Sequence, residues 1–482
     1  MSASFIVQAE SMEVAATAVS RVGGHITHEL GVINAVGATL SPAQQMQLPD
    51  TVRLYQNDAV EVSGIKGLDT FYPTLIGAAR LHDQNITGMD VTVAVIDTGY
   101  WQQRNLNNNT DKDGRVLAQY DAIADSFDQW GAYAESDDHG HGAHISSIIL
   151  SSGQAPDGAY NGVAPDANLV VVKAFDENGA GSYLDVIRAI DWIITNKEKY
   201  DIRVVNLSFS SEPQSFYWDD PMNQAVMRAW EAGIVVVAAA GNRGPDAMTI
   251  GVPGNVPYII TVGAMSDNYT PADGSDDILA SFSAAGPTVE GFVKPEIVAP
   301  GGHMLGMMGG DSKLVIEHPE FFELGNFFTM SGTSQSTAVT SGIVALMLQH
   351  DPTLTPDEVK CRLMSSARPA VNDDGSLAYS IFQQGAGMVN AYNAVYSTAT
   401  DCVNQTLDLT ADLDGTAHFW GRANRDEAGN YYIMDLDGYM WADGYMWADG
   451  YMWADGYMWA DGYMWADWAS TATHINAWVP QE

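Results

Sequence analysis

Cysteine is nearly missing from this chain of 482 residues. Cys361 and Cys402 are the two present, so a disulfide framework is excluded and at most one bridge can form. One bridge suits an oxidising compartment. Basic side chains are also scarce: 21 Lys and Arg stand against 60 Asp and Glu, a formal net charge of −39, and neither basic residue follows Arg425. That balance argues against nucleic acid as a partner. It keeps a protein soluble at high ionic strength, where screening shortens the repulsion, so a saline setting is expected. No run of about 18 apolar residues occurs, so no transmembrane segment is expected. The opening MSASFIVQAE lacks the basic-then-apolar pattern of a secretory signal, so either the protein stays in the cell or a signal lies outside this sequence.

What is present divides into three parts. Residues 4 to 62 alternate short apolar runs with two amphipathic stretches: SFIVQA, GGHITHEL, GVINAVGATL and TVRLYQ read as strands, MEVAATAVSRV and SPAQQMQL as helices. That order fits a small ferredoxin-like α+β unit, placed at residues 1–64. Over 65–400 the strands become continuously apolar (VTVAVID, NLVVVKAF, IRVVNLSF, GIVVVAAAG, YIITVGAM) and alternate with helices. This predicts an α/β architecture, a parallel sheet with helices on both faces. Sites in such sheets lie at the carboxyl ends of the strands, which puts Asp97, Ser208 and Asn242 on one rim. Residues 401–482 read as a β-rich segment containing five copies of GYMWAD at 438–467.

The densest chemistry is DDHGHGAH at 137–144, with three histidines and two aspartates. Imidazole and carboxylate at this density suit zinc, or else one oriented ring serves as a proton acceptor. The rest of the chain decides between them. VIDTG places Asp97 at a strand end and SGTSQST places Ser334 at the start of an apolar helix. A serine hydroxyl needs a base to take its proton, and the base needs a carboxylate to fix its tautomer. A zinc site would leave Asp97, Asn242 and Ser334 without a joint explanation, whereas a triad in the order Asp, His, Ser accounts for them.

With these motifs the sequence resembles the subtilases, the subtilisin-like serine proteases, over about residues 5–395. The resemblance implies that Asp97 orients the base, His141 is the base, Ser334 is the nucleophile and Asn242, in AAAGNRG, is the side-chain oxyanion donor. His144 is then structural and His139 an outer loop residue. GAGSY (Gly179, Gly181, Ser182, Tyr183) resembles the strand that pairs with an extended substrate, and NLSFSS (Ser208, Phe209, Ser210) the opposite wall of the cleft. Ala239 and Gly241 line the remaining wall. Ser210 stands where the family has glycine, and Gln335 where it has methionine. The pocket before the cleaved bond is expected to take apolar or aromatic side chains. The long stretch 301–328 before the serine motif reads as an inserted loop or lid. The family also implies that residues 1–64 are an inhibitory pro-domain, that the protein is a secreted zymogen acting on proteins or peptides, and that structural calcium stabilises it. Asp111 and Asp113, in NNNTDKDGR, are the candidate ligands, and no cofactor is expected for the chemistry.

In the array, Asp-Gly steps signal hairpin turns and each copy carries one Tyr, one Met and one Trp. Both faces would be apolar, so the array needs a surface to cover it, either the catalytic domain or an external polymer or surface. This keeps an alternative open, an inactive subtilase fold acting as an adhesion protein through its repeats.

Overall fold

A computed structural model describes residues 3–49, 51–57, 59–62, 72–128, 137–155, 158–268, 270, 276–323, 326–426 and 428–434. The GYMWAD array lies outside the described residues.

The N-terminal unit is an antiparallel sheet in the spatial order His25–Leu30, Ala35–Leu40, Ala3–Gln8, Arg53–Gln56. The helix Met12–Arg21, capped by Ser11 accepting from Val14 N, and the short helix Pro42–Gln45, opened by a Ser41/Gln44 capping box, join its strands. Phe5, Val7, Ala15, Val19, Val36, Ala38 and Leu40 fill the space between sheet and helices. The ferredoxin-like order is as expected. One strand starts later than read from sequence: Gly31–Ile33 forms a 3-10 turn, and Asn34 enters the left-handed region (φ 54) before the strand begins at Ala35. Asparagine tolerates that conformation, and the turn lets Ile33 bury itself in the core of the larger body.

The larger body is a sheet in the spatial order Ile278–Leu279, Ile260–Ser266, Val235–Ala239, Ile202–Leu207, Thr92–Asp97, Asn168–Lys173, Val116–Asp121, Ser126–Asp128. Its inner pairings are parallel and its two edge strands antiparallel, while Ile297–Pro300 adds in parallel to Ile260–Ser266. The strands are Val- and Ile-rich and buried throughout their middle, as a sheet covered on both faces requires. The helix Thr333–His350 is buried from Thr333 to Leu348, which explains why its sequence shows no polar face.

The inserted stretch before Ser334 is folded. Met304–Met307, Phe322–Glu323 and Phe327–Met330 form a small antiparallel sheet with the helix Lys313–Glu317. Met308, Leu314, Val315, Phe328 and Met330 give it a core of its own. The two cysteines are bridged, Cys361 to Cys402, at a sequence separation of 41. After residue 403 Asp408 caps a short helix, Leu409–Leu413, before the hairpin of Ala423–Arg425 with Tyr431–Ile433, and the rest of the segment expected to be β-rich, beyond residue 434, lies outside the described residues. Among the described residues no helix is long and apolar enough to cross a membrane.

Candidate active site

Three loops leaving the carboxyl rim of the sheet meet the first turns of two buried helices. Asp97 ends the strand Thr92–Asp97, and His141 opens the helix His141–Leu150. The imidazole Nδ1 of His141 lies 2.9 and 3.0 Å from the two Asp97 carboxylate oxygens, with both side chains buried. A carboxylate accepts only, so Nδ1 carries the proton and the second ring nitrogen is left as the basic one. Two residues that sequence reasoning passed over hold this pair. The Thr98 hydroxyl donates to Asp137 (2.7 Å) and accepts from Gly142 N (2.9 Å), and the Thr98 amide donates to Asp97 (2.7 Å). Asp137 accepts from the amides of Gly140 (2.8 Å) and Ala143 (2.6 Å) and so caps the helix that carries His141. Burial pushes the Asp137 carboxyl up, against the pull of those bonds. An aspartate just before a helix start was the signal available.

Ser334 is the second residue of the helix Thr333–His350 and fully buried. Its hydroxyl donates to the Ser208 carbonyl (2.9 Å), and the Ser208 hydroxyl donates to the Ser334 carbonyl (3.0 Å). Ser208 in turn accepts from Asn206 Nδ2 at 2.8 Å. Asn242, beyond the strand Val235–Ala239, accepts through Oδ1 from the Thr333 amide (3.0 Å) and hydroxyl (2.8 Å). Its Nδ2 is buried with no partner among the described residues. An amide donor kept dry and unpaired is costly unless something else uses it.

The other histidines of the motif have different fates. His144 is fully buried, with Nε2 donating to Phe328 O (2.9 Å) and Nδ1 receiving Gln335 Nε2 (3.4 Å). Burial, then the neighbouring His141, holds its pKa at about 3. It is structural, as expected, and it gives Gln335 a role that its sequence position did not reveal: a brace between the two helices. His139 is a correction. Expected as an outer loop residue, it is buried against Gly179, whose φ of +71 and missing Cβ make room for the ring, and burial holds its pKa at about 3. The start of the inserted helix packs over this loop, with Lys313 N donating to Asp138 O and Leu314 N to His139 O.

The strand Ala180–Ser182 and the strand Phe209–Ser210 flank an extended stretch of the chain itself, Ala59–Val62, antiparallel to both. Val60 lies opposite Gly181, Glu61 opposite Ser210 and Val62 opposite Phe209. Phe209 contributes backbone here; its ring packs on Phe175 in the core, 5.1 Å between centroids. The Tyr183 hydroxyl lies 3.3 Å from Asp220, the cap of the helix Pro221–Glu231. Ala239 is buried at a strand end, and Gly241 N donates to the Thr333 hydroxyl (3.2 Å).

The calcium loop fits its ion poorly. Asp111 and Asp113 are exposed, and Asn109 Oδ1 is occupied by the Asp113 amide (2.8 Å). Among the described residues no three His, Cys, Asp or Glu side chains converge to hold a metal.

Comparison with known proteins identifies the family. Residues 88–387 match the model of the subtilase family. The chain is 40% identical to the serine protease AprX of Bacillus subtilis (strain 168) over 317 residues, 65% of this chain and 67% of AprX. It is 28% identical to subtilisin E of the same strain over 380 residues, 78% of this chain and 84% of that one. Fervidolysin from Fervidobacterium pennivorans, described as a keratinolytic enzyme related to subtilisin, shares the fold with a TM-score of 0.64 at 21% identity, over 83% of this chain and 62% of its own. The chain belongs to the subtilase family and is a subtilisin-like serine protease.

Proposed function

We propose that the protein is a self-processing serine endopeptidase whose triad is Asp97, His141 and Ser334. The observation that carries this reading is the grip of Asp97 on His141 Nδ1 beside the Ser334 helix. Ser334 turns its hydroxyl from the Ser208 carbonyl to His141 and attacks the peptide carbonyl. His141 takes the hydroxyl proton and passes it to the departing amine, leaving an acyl group on Ser334. Water then repeats the step in reverse roles, and the acid leaves. Negative charge on the carbonyl oxygen is met by Asn242 Nδ2 and by the Ser334 amide, an open donor at a helix N-terminus. Asp97 holds the ring's tautomer and stabilises its charged form.

The N-terminal unit acts as an inhibitory pro-domain. Its last strand, Ala59–Val62, occupies the line an extended substrate would take, which supports a zymogen that cleaves itself. The unit grips the body through Arg53 with Asp219 (2.5 Å) and His28 with Asp185 (3.2 Å). Secretion into a saline medium fits the acidic composition and the single disulfide.

The test is mass spectrometry of the purified full chain beside Ser334→Ala. Wild type should lose its first 60 to 70 or so residues, a range set by ordinary boundary error, and should hydrolyse peptides. Ser334→Ala should stay whole and inactive. Processing of both, or of neither, counts against the proposal.

A further inference from the structure

We propose that Ser210 limits the pocket before the cleaved bond to small side chains, so that the preferred substrates carry alanine, serine or glycine there and not the apolar or aromatic residues the family resemblance led us to expect. The inference rests on the active-site reading above.

The strand Ala59–Val62 shows the course of an extended chain through the cleft. It runs from Gly181 toward the catalytic serine, with Glu61 opposite Ser210 and Val62 opposite Phe209. The next residue of the wall is Ser208, whose carbonyl receives the Ser334 hydroxyl. A substrate on this course therefore presents its carbonyl to Ser334 one residue past the Phe209 pairing. The side chain of that residue enters between the wall Ser208–Ser210 and the wall Ala239–Gly241.

That gap is already filled. A Cβ built on Gly241 would lie 2.9 Å from Ser210 Oγ, and one built on Gly251 would lie 2.8 Å from Ser210 Cβ and 3.1 Å from Oγ. Ser210 is buried and spans from its own wall to two glycines that have no room even for a methyl group. Farther along, Arg243 and Glu212 form an ion pair that ties the same two walls together. An aromatic ring has no depth left to enter. The chain's own sequence fits this restriction, since the residues that follow Val62 are Ser63 and Gly64.

The experiment measures kcat/KM of the full-length enzyme, allowed to process itself, on peptides that differ only in the residue before the cleaved bond. Alanine and serine should exceed phenylalanine and tyrosine by about tenfold or more, the scale on which a filled pocket rejects extra atoms. Ser210→Gly should raise the ratio of the phenylalanine to the alanine kcat/KM by about tenfold, and Ser210→Ala should fall between. Far-UV circular dichroism on each variant, compared with wild type, verifies that it is folded. Wild type that cleaves after phenylalanine as well as after alanine, or folded variants whose preference does not move, overturns the inference. Activity surviving in Ser334→Ala would instead overturn the active-site reading itself, which keeps the two failures distinct.

Discussion

Asn242 faces Thr333, the residue before Ser334, and accepts two hydrogen bonds from it through a single side-chain oxygen. This fixes which end of the amide looks into the site. The oxygen is anchored, and Nδ2 is left buried and unpaired among the described residues, where the mechanism proposed above uses it for charge that develops only during reaction. Asn242→Ala removes the donor without placing a charge in the site. Turnover should fall by roughly 10² to 10³ with KM little changed, since the lost bond belongs to the transition state. Thr333→Val, which frees the Asn242 oxygen from one of its two anchors, should lower kcat by a smaller factor. Steady-state kinetics on one peptide distinguishes these, and a loss confined to KM would refute the role.

The His144–Gln335 contact predicts non-additive stability. Gln335 Oε1 is already unpaired among the described residues, and the amide spends its other end on His144 Nδ1. Gln335→Leu leaves that nitrogen buried without a donor, and His144→Phe leaves the amide without an acceptor, so each should cost about 1 to 3 kcal/mol. The double variant removes both orphans and should be more stable than the sum of the singles by 0.5 kcal/mol or more, within the roughly 0.5 to 3 kcal/mol seen for contacting pairs. Urea unfolding in a Ser334→Ala background, which prevents self-digestion, supplies the cycle. Strict additivity would show that the two side chains do not work as a brace.

Buried groups also set the pH course of stability. His139 and His144 have their ordinary value of 6.5 lowered to about 3. Between those values the unfolded chain binds up to two more protons than the fold, so this stability is present above pH 6.5 and is lost as pH falls. Glu290 works the other way, because burial pushes it from 4.5 up to about 7. Its contribution is full below pH 4.5 and is lost as pH rises through 7. From pH 4.5 to 6.5 two histidines oppose one glutamate, and each proton carries about 1.4 kcal/mol per pH unit. His144→Phe in the Ser334→Ala background should therefore flatten the fall of unfolding free energy in this window by about that slope. Equal slopes for parent and variant would remove His144 from the account.

Much of this was readable beforehand, and the failures have a common cause. The alternation of continuous apolar strands with helices announced the parallel sheet, and a sheet of that kind puts Asp97, Ser208 and Asn242 on one rim by geometry alone. The strand ends and helix starts that carry Asp97, His141 and Ser334 were local features. What sequence could not supply was contact at a distance. His139 looks exposed from sequence because the inserted helix that packs over its loop begins at Lys313, about 170 residues downstream. Ser210 looked like a change in wall shape, but its consequence depends on Gly241 and Gly251, which only the fold brings against it. The pairing of Cys361 with Cys402 was open for the same reason. Local periodicity said strand at Gly31, and the burial of Ile33 in a neighbouring core overruled it.

The last prediction concerns the hexapeptide array and starts from where the described chain stops. The hairpin that precedes it is tied to the body: Gly421 N donates to Glu290 O and Ala423 N to Gly291 O, and the Phe382 and Tyr431 rings meet edge to face. Met434 N donates to Arg422 O, so the chain is still anchored four residues before the first GYMWAD copy. Trp420, 41% exposed, stands beside this exit and packs edge-on against Trp218 and Phe216. Each copy carries a Tyr, a Met and a Trp. Fully burying one such side chain is worth roughly 1.5 to 3 kcal/mol, so partial burial of a few copies would rival a typical domain's whole stability margin. A strap on the catalytic domain uses that energy for stability, and an adhesion module keeps it for an external surface. We favour the strap because the hairpin that precedes the array is tied to the body. Deleting residues 437–482 should shorten the half-life of thermal inactivation while leaving kcat/KM on a small soluble peptide unchanged. An unchanged half-life together with lost binding to particulate material would reject the strap and identify the array as an adhesion module.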